Sequence, residues 1–206
     1  MDTEQQHTPE ELQQALSKLE PKHRVLHAPL LSAYQKTTMA AQNGTKANLS
    51  PVEVDAIFHL TKESPDLDND PQKALPQVHA AHELTQIIGQ VQPALLQHAQ
   101  SLPEGQRKVR LDSKQVPGLM EAFNAYAGPK LLEGKEAESI LIDMDKGVII
   151  PVLKGGDRGE PLTRKDGDKE YIHEIPIAEF KSTLMHTASM GPMLLGAVAA
   201  YEEGGE

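Results

Sequence analysis

The sequence predicts an α+β protein, in which an N-terminal layer of about five helices is followed by a small antiparallel sheet and a C-terminal helix. Three observations support this prediction. Apolar residues recur at helical spacing as far as about residue 128, runs rich in β-branched residues follow residue 138, and only 3% of the residues are aromatic. A core so poor in aromatic side chains must consist mainly of aliphatic ones, which favours helices packed through their apolar faces.

Two segments carry the same pattern of a helix start. Thr8-Pro9-Glu10-Glu11 and Ser50-Pro51-Val52-Glu53 each place a hydroxyl, then a proline, then a glutamate three residues after the hydroxyl. The hydroxyl caps the first turn, proline suits the first helical position, and the glutamate completes a capping box. Behind Ser50, the apolar residues Val54, Ile57 and Phe58 are expected to share one face. Both segments are therefore predicted to begin helices.

Three more helices are predicted before the sheet. The first runs from about Val25 to Asn43, and the second, with Asp70-Pro71 as a weaker start, from Ala74 to about Gln100. Gly89 and Pro93 interrupt the second, which predicts a kinked helix or two helices in succession. The third runs from about Pro117 to Ala127 and ends at Gly128-Pro129. Its apolar face comprises Leu119, Met120, Phe123 and Tyr126.

After residue 138 the pattern changes to strands. Ser139–Met144 and Val148–Leu153 are β-rich runs on either side of a short turn, which predicts a hairpin. Pro151 predicts that the second strand lies at an edge or carries a bulge. Lys169–Ile175 is predicted as a further strand. Gly155–Asp168 is a charged, Gly-rich connector that we expect to be a surface loop folding back at Asp166-Gly167.

A single domain spanning residues 1–206 is expected from the chain length. Its helical part covers about 8–128, its β-rich part about 138–176 and its closing helix about 177–200, where Phe180 and Leu184 are apolar. The terminal segments 1–7 and 202–206 are expected to fray.

Charge and composition exclude several classes of protein. Thirty acidic residues against 20 basic ones give a net charge of −10, which disfavours binding to nucleic acid and to anionic membranes. Without cysteine there is no disulfide, no thiolate nucleophile and no cysteine-ligated metal. No apolar run approaches the ~20 residues of a membrane span. The sequence therefore predicts a protein that is cytoplasmic, or exported by a route without an apolar N-terminal signal.

The segment His79-Ala-Ala-His82-Glu83 is the first candidate metal site. Zinc helices usually present H-E-x-x-H or H-x-x-E-H, whereas here the histidines are three apart and the glutamate lies outside them. On a helix, the three polar residues face away from the apolar side formed by Ala81 and Leu84. A solvated face is therefore favoured over a metal site at His79, His82 and Glu83.

The segment Ile140–Val148, with Asp143 and Asp145 after an apolar strand, resembles the first motif of haloacid-dehalogenase-type phosphatases. That resemblance implies that Asp143 is the nucleophile and Asp145 the acid/base, with a magnesium ion at the site. It covers nine residues, and Lys146 intervenes before the glycine of the motif. The alternative that we favour is a hairpin turn with Asp143 on its exposed face.

Three weaker candidates are also present. Asp66-Leu-Asp-Asn-Asp70 begins like a calcium-binding EF-hand loop but lacks the later glycine and glutamate, so Asp70 is predicted to cap a helix instead. His23 and His27 have metal-ligand spacing without an evident third ligand. His186 lies among hydroxyl residues, but no motif frames it as catalytic, and a polar helix face is favoured.

The leading functional hypothesis is a non-enzymatic protein-interaction module, such as an adaptor, a regulator or an exported effector. It would bind another protein through the helical layer, an exposed strand edge or the charged loop 155–168. Within that loop, Arg158, Arg164 and Lys165 are the candidate partner contacts. No cofactor is predicted, and self-association is an alternative. The rival hypothesis is a metal-dependent hydrolase that uses Asp143 and Asp145.

Overall fold

A computed structural model describes residues 27–64, 66–155 and 159–190. The helices in the described part of the chain are α1 (His27–Gln42), α2 (Pro51–Glu63), α3 (Pro71–Ser101), α4 (Leu119–Ala127) and α5 (Ile177–Ala188). The strands there are β1 (Lys108–Asp112), β2 (Ala137–Asp143), β3 (Val148–Leu153), β4 (Glu160–Pro161), β5 (Thr163–Asp166), β6 (Lys169–Ile172) and β7 (Ile175–Pro176). The α+β class is confirmed. The helix predicted at Thr8 and the end of the closing helix lie outside the described residues.

The chain divides into two compact units. The first unit comprises residues 1–78 and 189–206, and the second comprises residues 79–188. The division falls within α3. Each unit has a hydrophobic core of its own.

In the first unit, α2 begins with the predicted capping box. The Ser50 hydroxyl accepts a hydrogen bond from the Glu53 amide, and the Glu53 carboxylate accepts one from the Ser50 amide. Pro51 occupies the first turn, where a missing N–H costs nothing. This start is confirmed in each detail, because both partners of the box lie three residues apart in the sequence.

The apolar face of α2 differs from the prediction. Ile57 is buried as expected, but Phe58 is 53% exposed. The buried face is made by Glu53, Ala56, Ile57, Leu60 and Thr61, which follow helical spacing. Since Phe58 lies about 100° further around the helix than Ile57, it falls outside that face. The prediction that Phe58 belongs to it was wrong.

Helix α3 is continuous from Pro71 to Ser101, so the alternative of two helices is wrong. Asp70 caps its start, as predicted, by accepting a hydrogen bond from the Gln72 amide at 3.0 Å. Pro93 cannot donate to the carbonyl four residues earlier, and that carbonyl belongs to Gly89. Both disruptive residues therefore weaken the same turn, and the helix continues on either side of it.

In the second unit, β2 and β3 form the predicted antiparallel hairpin. The Asp143 carboxylate accepts a hydrogen bond from the Lys146 amide at 3.0 Å within the turn, and Gly147 has a φ of 67°. A residue with a side chain rarely adopts such a φ, which explains the glycine. This hairpin lies at the centre of a five-stranded sheet in the order β1-β2-β3-β4, with β7 also paired to β3.

The prediction that β3 lies at an edge or carries a bulge was wrong. On the side away from β2, β3 pairs with β4 through Val152 and Leu153, and with β7 through Val148 and Ile149. Pro151 falls in the gap between these two pairings, where its missing N–H interrupts neither. The register shift of the hairpin lies on β2, between Ala137 and Ser139.

Strand β1 was not predicted. It lies between α3 and α4, within the part of the chain interpreted as helical, and pairs antiparallel with β2. Its Val109 and Leu111 alternate with charged residues, which is the pattern of a strand with one buried face. The helices are therefore not all placed before the sheet.

The core of the second unit lies between one face of the sheet and helices α3, α4 and α5. All four apolar residues predicted for α4 are buried. The Phe180 ring of α5 lies 6.0 Å from the Phe123 ring and 6.2 Å, edge to face, from the Tyr126 ring. Part of the predicted loop 155–168 is a strand, since β5 pairs with β6 through a turn at Asp166-Gly167. The fold-back at that turn is confirmed.

Candidate functional site

Asp143, the proposed nucleophile of the hydrolase hypothesis, is buried, whereas its exposure was expected. The register of the sheet places Lys108 of β1 directly opposite it, and Lys108 Nζ lies 3.5 Å from Oδ2. Burial alone would raise the pKa of Asp143, but the Lys146 amide and the Lys108 and Lys146 ammonium groups hold that pKa below its ordinary value. The carboxylate is thus an ionised part of the hairpin turn.

Asp145 is exposed and paired with Arg107. Its Oδ2 accepts a hydrogen bond from the Arg107 amide at 2.9 Å, and its Oδ1 lies 3.8 Å from the Arg107 guanidinium. Asp143 therefore binds the first residue of β1, and Asp145 binds the residue before it. Within the described residues, no group of three or more His, Cys, Asp or Glu side chains is arranged to hold a metal ion.

The residues of the His79-to-Glu83 segment lie on α3 as predicted for a polar face. His79 and Glu83 are exposed, and His82 is half-buried. The ring of His82 hydrogen-bonds to Gln86 Nε2 at 3.2 Å, one turn further along the helix. The face continues into a stripe of glutamines, and no further His, Asp or Glu follows on that face of α3.

The weaker candidates also have structural roles. Asp70 caps α3, and the Asp68 carboxylate accepts a hydrogen bond from the Asp70 amide at 2.7 Å. These two carboxylates therefore organise the start of a helix, which is the role predicted for Asp70. His186 is exposed on α5. His23 and the side chain of His27 lie outside the described residues.

The three cations proposed as partner contacts differ in their surroundings. Arg164 is anchored: its guanidinium donates to the Leu131 carbonyl at 2.7 Å and forms an ion pair with Glu133. Both partners belong to the turn after α4, so Arg164 joins that turn to the β5–β6 hairpin. Lys165 is exposed, opposite Glu170 in the hairpin register. Arg158 lies outside the described residues.

The edge strand β1 offers little to a partner strand. It is one of the terminal strands of the five-stranded sheet and has five residues. Two of its amides already have local acceptors, because Lys108 donates to the Gln106 carbonyl and Asp112 donates to the Gln115 side chain. Strand addition requires amides that are available to the incoming chain. The geometry of β1 therefore does not favour it.

The second unit contains an apolar cavity of about 180 Å³. It lies between the C-terminal half of α3, the helices α4 and α5, and the inner face of the sheet. Ile140 and Ile142 of β2 and Ile149 of β3 line its floor. Along β2, the cavity residues alternate with Ser139, Leu141 and Asp143. Because successive side chains of a strand point to opposite faces, the cavity and the Asp143 carboxylate lie on opposite faces of the hairpin.

The described lining of the cavity has two polar residues, Gln92 of α3 and Lys181 of α5. Lys181 Nζ donates a hydrogen bond to Gln92 Oε1 at 3.4 Å. The ammonium group is exposed while the side chain contributes to the lining, as is usual for a long cationic side chain beside an apolar surface. The cavity therefore combines an apolar interior with one cationic group.

The outer surface of α3 has an unusual composition. One face carries exposed residues at helical spacing: Gln86, Gln90, Pro93, Ala94, Gln97 and Ser101, which we call the outer stripe. None of them is charged, and after Glu83 the next Asp, Glu, Lys or Arg in the sequence is Glu104. In a chain with 24% charged residues, such a gap on an exposed helix is a sequence signal that a motif search does not detect.

Among the described residues, no helix is both long and apolar enough to cross a membrane. Comparison of the chain with protein-family models, with characterised proteins and with solved structures gave no significant match.

Proposed function

We propose that this protein is a non-enzymatic protein-binding module and that its partner docks on the outer stripe of α3. The observation that carries the proposal is the absence of charge along an exposed helix face in an acidic protein. Charged residues are depleted where protein interfaces are fully desolvated, because a buried charge loses its hydration. The stripe can be desolvated without that cost.

The shape of the stripe favours a macromolecular partner. It extends from Gln86 to Ser101 along a continuous helix, a distance of about 22 Å at 1.5 Å per residue. A convex strip of this length suits a second helix or a flat protein surface better than a small molecule. Glutamine side chains offer both hydrogen-bond donors and acceptors there, so the partner surface is expected to be poor in charge.

The rival metal-dependent hydrolase lacks comparable support. Asp143 and Asp145 are bound to Lys108, to the Lys146 amide and to Arg107, and the apolar cavity lies on the other face of the hairpin. A nucleophilic carboxylate requires access to the substrate. Asp143, which would be the nucleophile, is only 3% exposed, and its carboxylate is held by the Lys146 amide and the Lys108 ammonium group.

Site-specific photo-crosslinking tests the proposal. p-Benzoylphenylalanine replaces Gln97 in the outer stripe or, as a control, the exposed Gln42 of α1, in cells that express the full chain. A defined protein adduct is expected at position 97 and not at position 42. Adding Ala94→Glu should remove it, since the new charge would be desolvated in the interface. Absence of an adduct at position 97, or the same adducts at both positions, would contradict the proposal.

A further inference from the structure

We propose that the cavity of the second unit binds a medium-chain carboxylic acid, with the alkyl tail inside the cavity and the carboxylate beside Lys181. This inference goes beyond the proposed protein-binding function and concerns different residues. None of the residues of the outer stripe lines the cavity. The two functions can therefore be tested separately.

The lining selects an apolar occupant. Ile88 and Val91 of α3, Ile142 of β2 and Phe180 of α5 present only hydrocarbon to the interior. Water is a poor occupant of such a space, since a stable buried water needs two to four polar partners. Hydrocarbon that moves from water into this lining is stabilised further with each CH₂ group that it buries.

The volume sets the size of the tail. An engineered cavity of roughly 150 Å³ with a similar aliphatic and aromatic lining takes up benzene. The cavity here measures about 180 Å³. It therefore has room for a tail somewhat larger than benzene, such as the alkyl chain of a medium-chain acid. A long-chain lipid would extend beyond it.

The rim selects the head group. Lys181 forms no ion pair within the described part of the chain, and its hydrogen bond to the neutral Gln92 amide is long at 3.4 Å. A carboxylate at this position would accept a charge-assisted hydrogen bond from Lys181, which is stronger than a bond between a cation and an amide. The Gln92 NH₂ group can donate to the second carboxylate oxygen. An alcohol offers one weaker acceptor, and an amine would be repelled.

Methyl NMR on the full chain, with ¹³C-labelled isoleucine methyl groups, tests the inference directly. Octanoate is the probe, and octanol and octylamine are its matched controls with the same tail. We expect saturable shifts at Ile140, Ile142 and Ile149, which line the cavity, and none at Ile57, which lies in the core of the first unit. Octanoate should bind about tenfold more tightly than octanol.

Two variants separate the roles of tail and head group. Lys181→Met should reduce octanoate affinity to that of octanol, whereas Lys62→Met, at an exposed lysine of α2, should leave it unchanged. Val91→Phe should fill the cavity and weaken both ligands. If Val91→Phe does not fold, the wild-type shifts and the Lys181→Met comparison still decide the question.

Three outcomes would overturn the inference. The first is the absence of saturable shifts at the cavity isoleucines up to millimolar octanoate. The second is equal affinity for octanoate and octanol in the wild type, which would remove the role of Lys181. The third is an equal response of Ile57, which would show detergent-like binding. None of these outcomes affects the crosslink at position 97, so the proposed protein-binding function is tested independently.

Discussion

The carboxylate of Glu53 on α2 lies 2.9 Å from the ammonium of Lys36 on α1. The same carboxylate accepts hydrogen bonds from the Ser32 hydroxyl and, as part of the capping box, from the Ser50 amide. A residue that begins one helix therefore also fastens that helix to its neighbour. Glu53 is 5% exposed, so these bonds form largely out of water.

Acid is expected to destabilise the first unit through Glu53. Burial raises the pKa of this carboxyl, but the bonds from Ser32, Lys36 and Ser50 outweigh burial and lower the pKa from 4.5 to about 2. Because the folded state holds the proton of Glu53 less tightly than the unfolded state does, ionised Glu53 stabilises the folded state fully above pH 4.5. This stabilisation amounts to up to about 3 kcal/mol and is lost as the pH falls from 4.5 towards 2.

Urea unfolding of Glu53→Gln across this pH range measures that contribution. At neutral pH the variant should lose about 1–3 kcal/mol of unfolding free energy, and the loss should shrink below pH 4. Asp55→Asn, at an exposed carboxyl of the same helix, is the control and should change little. A Glu53→Gln loss that stays constant down to pH 2 would contradict the assignment.

The side chain of Asn124 is expected to fix α4 to the sheet. Its NH₂ group donates to the Ala137 carbonyl at 2.9 Å, and its carbonyl accepts from the Ala137 amide at 2.8 Å. Asn124→Ala would leave both groups of a buried residue without that partner, at a cost of about 2–3 kcal/mol by thermal or urea unfolding. Asn124→Asp keeps the acceptor but places an oxygen against the Ala137 carbonyl, so it should not restore stability. Full stability of either variant would argue against this role.

Features that depend on neighbours in sequence were predictable. The capping box at Ser50, the turn before Gly147 and the apolar face of α4 were all identified, because each requires residues only a few positions apart. Strand β1 was missed because it has only two apolar residues in a basic segment, and its pairing partner β2 lies about thirty residues later. A short strand is defined by its partner more than by its own pattern.

The candidate sites were also unpredictable where they depend on residues distant in sequence. The burial of Asp143 follows from its register opposite Lys108, which only the folded sheet provides. The cavity is formed by residues from three helices and three strands, and no local pattern brings them together. The outer stripe is different, because the gap in charge between Glu83 and Glu104 is visible in the sequence. A polar, solvated face was predicted there, but an absence of charge forms no motif, so the sequence alone did not indicate a binding surface.

Metal ions are expected to leave the stability unchanged. A specific site filled at 100 times its dissociation constant would add about 2.7 kcal/mol, which for a chain of this size raises the Tm by roughly 5 to 10 °C. We expect shifts of less than about 1 °C when magnesium, calcium, manganese or zinc is added after EDTA treatment. Asp143→Asn should lower stability by up to about 1 kcal/mol, through loss of the Lys108 pair, with or without metal. A larger metal-induced shift that Asp143→Asn removes would instead support the hydrolase hypothesis.

Substitution by alanine should have opposite effects on stability at two glycines of the second unit. Gly89 is helical within α3, and a Cβ added there would meet no atom within 4 Å. Gly89→Ala should therefore stabilise the protein by about 0.5–1 kcal/mol, because alanine restricts the unfolded chain and has the higher helix propensity. Gly118, the residue before α4, has a φ of 81°, a conformation that costs alanine about 1–2 kcal/mol. Differential scanning calorimetry of both variants should show a higher Tm for Gly89→Ala and a lower one for Gly118→Ala. A lower Tm for Gly89→Ala would mean that α3 needs the flexibility of glycine at the turn that Pro93 weakens.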